Sequence, residues 1–188
     1  MVILGIDPGS ITTGYAFLEK TEKSFRVLEY GTLHVPANRN LEDRLVHIVD
    51  RLEVLLQQYH PEALAMEGVF FAKNAKSALV LGHIRGAVLV ACRKRGMTFN
   101  EYPPKVVKQS VTGDGAASKE QVANMVFAQL GIVGSDLPLD ASDALAIAWT
   151  HGNPPPLNVA LKKHAPARKK KGSVQQWKAL IEKMGVKI

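Results

Sequence analysis

Two short apolar runs in this chain, Val2-Ile3-Leu4-Gly5-Ile6 and Ala63-Leu64-Ala65-Met66, each stop at an acid, Asp7 and Glu67. A short, uninterrupted apolar run is the pattern of a buried central strand. If the two strands are parallel neighbours, both carboxylates emerge at one sheet edge, the edge at which open α/β sheets bind ligands.

The remaining sequence fits such a sheet. Asp7-Pro8-Gly9-Ser10 supplies turn chemistry, after which Thr13 to Leu18 and Phe25 to Leu33 read as further strands. Leu41, Leu45, Ile48, Leu52 and Leu55 recur every three or four residues, with Asn40 as N-cap and Pro61 beyond the end, which predicts an amphipathic helix. A long helix is predicted over Ala75 to Lys94 and a strand near Met97 to Tyr102. Ser118-Lys119-Glu120-Gln121 has the form of a capping box opening a helix that Gly131 closes. A last helix runs from about Asp140 to His151, ended by Gly152 and Pro154-Pro155-Pro156. Three strands followed by helix–strand alternation predict a mixed α/β sheet, antiparallel at its start and parallel after. The length suits one domain, residues 1–156, followed by a Lys-rich extension, residues 157–188, with a short helix around Val174 to Met184.

Charge is unevenly spread. Residues 157–188 hold nine Lys/Arg against one acid, a net of +8, and Gly68 to Lys119 holds nine against two, a net of +7. Two basic segments on one small chain point to a polyanionic partner, with plain solubility as the alternative for the tail. Cys92 is the only cysteine, which leaves no disulfide framework and no zinc cluster. The apolar start lacks a basic leader, and the stretch Ala78 to Cys92, interrupted by His83 and Arg85, reads as too short for a bilayer. No membrane association and a cytoplasmic location are therefore expected.

Asp140 and Asp143 are spaced i, i+3 at a helix start and share a face with one another. Four acids gathered together resist joint ionisation unless cations neutralise them, and an all-oxygen set favours Mg²⁺ or Mn²⁺ over zinc. Two such ions can hold a scissile phosphate, activate water and stabilise the departing oxygen. Each acid also has a plainer reading: Asp7 as the start of a turn, Glu67 as a solvated strand end, Asp140 as an N-cap with Asp143 in the favourable first turn. Spacing alone leaves both readings open. The helix near Ala75 to Lys94 is apolar around nearly its whole circumference, and Gly82 and Gly86 lie on one face where another helix could approach closely. A twofold dimer through that face is expected, against the alternative of a central helix covered within its own chain.

The sequence resembles the RuvC-type Holliday junction resolvases, ribonuclease-H-like nucleases. The resemblance is carried by Ile3-Leu4-Gly5-Ile6-Asp7-Pro8-Gly9-Ser10 with Thr13-Gly14-Tyr15, and by Met66-Glu67-Gly68-Val69-Phe70 running into Ala72-Lys73-Asn74-Ala75. Lys105-Val106-Val107-Lys108-Gln109, Ser118-Lys119-Glu120-Gln121-Val122 and Asp140-Ala141-Ser142-Asp143-Ala144-Leu145-Ala146 continue it in family order. It implies a ribonuclease-H-like mixed five-stranded sheet flanked by helices, with the basic C-terminal tail outside the match. It also implies a homodimer that cuts four-way DNA junctions symmetrically in recombination and repair, leaving ligatable nicks, with the RuvAB branch-migration complex as a partner. By position, Asp7, Glu67, Asp140 and Asp143 become the catalytic acids holding two Mg²⁺ ions per site, with Mn²⁺ as a substitute. Lys108 and Lys119 fall on lysines that approach the scissile phosphate, where an ammonium offsets charge growing in the transition state. Phe70, Lys73, Asn74, Lys76 and Lys105, together with Lys108 and Lys119, become DNA contacts, Phe70 by stacking on a base near the crossover. Ile11 stands where the family pattern has an arginine, so no DNA contact is expected there. The cluster Arg168-Lys169-Lys170-Lys171 would add salt-sensitive, sequence-blind affinity.

Three other readings compete. An actin-like ATPase or kinase also places an acid and glycines after its first strand, but needs a duplicated domain. A non-catalytic DNA-binding module would not need all four acids. Another ribonuclease-H-like nuclease acting on RNA–DNA hybrids shares the fold, and only the wider set of motifs argues against it.

Overall fold

Alternation along the first strand sends its residues to two different faces. Leu4 and Ile6 of β1 (Val2–Asp7) join one core cluster, whereas Ile3 joins the other. Strands β2 (Thr12–Lys20) and β3 (Phe25–His34) complete an antiparallel meander with β1. Helix α1 (Leu41–Tyr59) then leads to β4 (Ala63–Glu67), and α2 (Ala75–Lys94) leads to β5 (Thr98–Tyr102). Both late strands are parallel, β4 beside β1 and β5 beside β4, giving the strand order β3-β2-β1-β4-β5. Helices α3 (Pro104–Thr112), α4 (Lys119–Leu130) and α5 (Leu139–Gly152) follow. The sheet and its helices have the ribonuclease-H-like arrangement expected from the sequence.

These features come from a computed structural model that describes residues 1–35, 38–68, 75–133 and 138–154, all within the compact unit Met1–Pro155. Phe70, Lys73 and Asn74, and the Lys-rich extension with its predicted helix, lie outside the described residues.

Helices α1 and α2 cover the face that carries Leu4, Ile6, Phe17, Leu64 and Met66. The Asn40 side chain accepts a hydrogen bond from the Asp43 N–H at 2.8 Å and caps α1. The 20-residue α2 is long and apolar enough by length and composition to cross a bilayer, which corrects the expectation drawn from the shorter stretch Ala78 to Cys92. Its Ile84, Val88, Ala91 and Cys92 are packed into this core instead. The opposite side of α2 is open: Leu79 and Val90 are exposed, and a Cβ added at Gly82 or Gly86 would meet nothing within 4 Å.

The other face is covered by α3, α4 and α5, and here glycine decides the geometry. A Cβ at Gly5 of β1 would lie 2.2 Å from the Ala144 carbonyl oxygen, and one at Gly14 of β2 would lie 1.9 Å from that of Asp140. Gly5, its register partners Ala16 and Ala65, and Gly14 form a shallow trough of small residues along the sheet. Helix α5 answers with Ala141, Ala144 and Ala148, all buried. Small residues on both sides let the helix backbone rest directly on the strands.

The sequence pattern does not predict α3. Pro104 at its start and Gly113 in the left-handed conformation at its end mark it, but four of its nine residues, Val106, Val107, Val111 and Thr112, are β-branched and poor helix formers.

Gly5→Ala should shift α5 and cost about 1–3 kcal/mol through overpacking against main chain that cannot rotate away. Chemical denaturation measures this directly, and a wild-type midpoint would contradict the seating of α5.

Candidate active site

The parallel register places Ile6 beside Met66, so the next residues, Asp7 and Glu67, end adjacent strands at one edge, about 4.8 Å apart in the hydrogen-bonding direction. Side chains alternate, so Asp7 follows Ile3 and Gly5, and Glu67 follows Ala65, onto the face that α5 covers. Asp7 pairs across the sheet with Gly14, the glycine against which the Asp140 main chain rests. Close approach at Gly14 therefore brings the first turn of α5 to Asp7. Asp140 is the second residue of α5 and Pro138 the N-cap, so Asp140 is not itself the cap. Its carboxyl lies in the first turn, where the helix dipole favours negative charge. One turn later Asp143 is half-buried beside the same edge.

The Asp7-Pro8-Gly9 turn is held by Thr13, fully buried at the start of β2. Its hydroxyl donates to the Gly9 carbonyl at 3.3 Å and accepts from the Gly9 N–H at 3.4 Å. The sequence gives Thr13 a place in a strand and in the family motif but no role; its contribution here is to fix the exit of the chain from Asp7.

The two lysines come from the opposite wall. Lys119, the first residue of α4, donates to Asp143 Oδ2 at 2.7 Å. The capping box fixes that helix start: Ser118 Oγ accepts from the Gln121 N–H at 3.2 Å, and Gln121 Oε1 accepts from the Ser118 N–H at 2.8 Å. Lys108 of α3 donates to the Ala117 carbonyl at 2.6 Å. Glu67, Lys108, Lys119 and Asp143 line a cleft of about 270 Å³ floored by Val107, Val122 and Ile147. Lys105 and Lys76 are exposed, on α3 and in the first turn of α2, and neither lines this cleft. Ile11 is exposed as well.

Electrostatics confirm the crowding. Burial pushes the Asp7 carboxyl up from 3.8 to about 7, and the carboxylates of Glu67, Asp143 and Asp140 push in the same direction against the Lys119 ammonium. Burial, then Asp143, raises Glu67 too, which is not the behaviour of a solvated strand end. The Lys119 ammonium is held above its ordinary value by its hydrogen bond to Asp143. Among the described residues no three acids form a closed ligand cluster. The donor set nevertheless fits a hard divalent cation: it is all oxygen, partly desolvated, and carries more negative charge than Lys119 neutralises.

The residues 3–151 match the family model for the crossover junction endodeoxyribonuclease RuvC. The chain belongs to the RuvC family. A RuvC from Chloroherpeton thalassium is 46% identical over 148 residues, which cover 79% of this chain and 80% of that protein. One from Ruminiclostridium cellulolyticum is 43% identical over 153 residues, covering 81% and 92%. Among solved structures, T. thermophilus RuvC in complex with a Holliday junction substrate superposes with a TM-score of 0.76 at 36% identity, covering 81% of this chain and 93% of that one. The yeast mitochondrial resolvase Ydc2, at 14% identity and a TM-score of 0.59, shares the fold. The assignment as a RuvC-type nuclease made from the ordered motifs thus holds.

Without metal, the native protein keeps a proton on Asp7 that the unfolded chain has released between about pH 3.8 and 7. This contribution to stability is present at low pH and is lost as pH rises through 7. Asp7→Asn should therefore gain stability over wild type as pH climbs from 5 to 8 in EDTA. Parallel pH profiles of melting temperature for the two proteins would contradict the crowding of charge at Asp7.

Proposed function

We propose that this chain cleaves four-way DNA junctions by metal-dependent phosphodiester hydrolysis, with Asp7, Glu67, Asp140 and Asp143 as the metal-binding acids. The observation that carries this reading is the convergence of β1, β4 and the start of α5 at one sheet edge, in a chain 36% identical to a nuclease solved on a Holliday junction. Mg²⁺, with Mn²⁺ as a substitute and two ions per site, supplies when bound a polarised phosphate and an ionised water.

The chain's own residues do the rest. Asp7 and Glu67 are fixed by adjacent strand ends, so their separation is set by the sheet. Asp140 and Asp143 are fixed by the seat of α5 on Gly14 and Gly5. Lys119 donates to Asp143 Oδ2 and holds that side chain against the start of α4. Lys108 and Lys119 place ammonium groups on the cleft wall, where they offset charge growing on the phosphate. Lys76, Lys105, Phe70, Lys73 and Asn74 are assigned to DNA contact by sequence position. The basic extension, residues 157–188, adds base-blind phosphate affinity outside the nuclease domain, residues 1–156.

The open side of α2 supports a homodimer. With α1 it forms an apolar groove lined by Leu45, Val49, Leu79, Ala87 and Val90, with no side chain at Gly82 and Gly86. A twofold pairing there would give a near-symmetric junction two active sites and explain paired nicks. The setting is homologous recombination and repair in the cytoplasm, with the RuvAB branch-migration complex as partner.

The test offers purified protein labelled four-way junction, plain duplex and RNA–DNA hybrid, with Mg²⁺ or EDTA. Paired cuts in the junction alone, dependent on Mg²⁺, are expected; cleavage of the hybrid in preference would replace this reading with that of a different ribonuclease-H-like nuclease. Asp7→Asn should lower cleavage by orders of magnitude while leaving junction binding in EDTA intact. Gly86→Leu, whose Cβ would meet nothing within 4 Å in the subunit itself, should give folded monomers that no longer make paired cuts. Sedimentation showing a wild-type monomer on junction DNA would sink the dimer.

A further inference from the structure

Arg85 is the one arginine within the apolar stretch of α2, and its side chain is only 14% exposed. A cation so placed is costly unless it is paired and fully engaged. Arg85 is engaged twice. One Nη donates to the main-chain carbonyl of Glu67, and the other pairs with the Glu101 carboxylate of β5. The two acceptors stand on neighbouring parallel strands, where Met66 is paired with Glu101 and Glu67 with Tyr102. A planar fork with fixed donor directions can bridge them; a lysine has a single donor centre and cannot do so in the same geometry.

We propose that Arg85 is a positioning residue for the acidic edge, clamping the end of β4 to α2 and β5 so that Glu67 is held where it faces Asp7 and Asp143. This rests on the reading of Glu67 as a metal ligand. Glu67 is the last residue of β4, and among the described residues the ladder continues beyond it through the Gly68 N–H donating to the Tyr102 carbonyl at 2.8 Å. The strand end is thus fixed by a ladder bond on the Gly68 side and by the guanidinium at the Glu67 carbonyl. Arg85 reaches it from the face opposite α5, so it restrains the main chain without entering the cleft. Ten residues separate Arg85 from the start of α2, about 15 Å of helix, and none of Ala75 to His83 is fully buried.

The clamp also joins two regions that the function needs to be in step. The helix that carries the open Gly82/Gly86 face is the helix whose guanidinium holds the Glu67 main chain. A shift of α2 along its axis would be felt through Arg85 at the Glu67 main chain and at Glu101.

The experiment compares Arg85→Gln, Arg85→Lys, Glu101→Gln and Glu67→Gln in the full chain, measuring Mn²⁺ affinity by calorimetry without DNA, junction affinity in EDTA, and melting temperature. Arg85→Gln should weaken Mn²⁺ binding by roughly 10–100-fold, as loss of a ligand's supporting hydrogen bond does, with junction affinity near wild type. Arg85→Lys, which can hold one acceptor at a time, should fall between, and Glu101→Gln, which leaves the Glu67 contact intact, should lose less than Arg85→Gln. Weakened Mn²⁺ binding in Glu67→Gln with wild-type binding in Arg85→Gln would overturn the clamp alone. Unchanged Mn²⁺ binding in Glu67→Gln would instead remove Glu67 from the ligands. If Arg85→Gln and Arg85→Lys lose melting temperature, metal affinity and junction affinity alike, Arg85 merely holds the fold and the inference is wrong.

Discussion

The contact on which the rest depends is main chain against main chain: α5 resting on Gly5 and Gly14 with no side chain between them. Any residue larger than glycine at either position would push the helix off the sheet. Because Gly14 pairs with Asp7, and because Asp7 is next to Glu67 across the parallel ladder, one close approach brings three elements to a point. The sheet alone could place two acids together. Only the seat of α5 adds the other two, and it does so from backbone geometry, which is less compliant than side-chain packing.

Gathering acids in a partly buried edge has an electrostatic cost, visible in Asp7, whose carboxyl is held at about 7 chiefly by burial and then by its neighbours. The fold offsets part of it locally. Lys119 pairs with Asp143, and the start of α5 turns its positive dipole end toward the same place. What remains is a surplus of negative charge, which is the condition under which a divalent cation binds and which stability alone would not select. The same surplus stands against a basic cleft wall: Lys108 and Lys119 line the cleft with Glu67 and Asp143, and under the proposed function they would offset the repulsion between these acids and an entering phosphate.

Much of this was legible in the sequence because local signals and burial agreed. The apolar runs before Asp7 and Glu67, the Asn40 cap, the Ser118–Gln121 box and the Gly131 stop each name an element boundary through their own chemistry, and each is where the structure has it. Helix α3 was not legible, since its valines favour a strand and only tertiary packing of Val107 and Val111 makes it a helix. The two-sidedness of α2 was visible as an apolar circumference, but composition could not say which side the sheet covers, nor that the arginine within it reaches Glu67. Asp140 was open between a cap and a ligand because spacing fixes a face, and only the contact with Gly14 fixes where that face points.

The central claim is that Asp7, Glu67, Asp140 and Asp143 form one metal-binding edge. Crystals of the protein on a cleavage-resistant four-way junction, grown with Mn²⁺ and measured at the manganese absorption edge, test it most directly. The account predicts two anomalous peaks per subunit, with oxygens of these four carboxylates among their ligands and a junction phosphate between them. Manganese bound elsewhere on the chain, with these acids left to solvent and lysine, would contradict it.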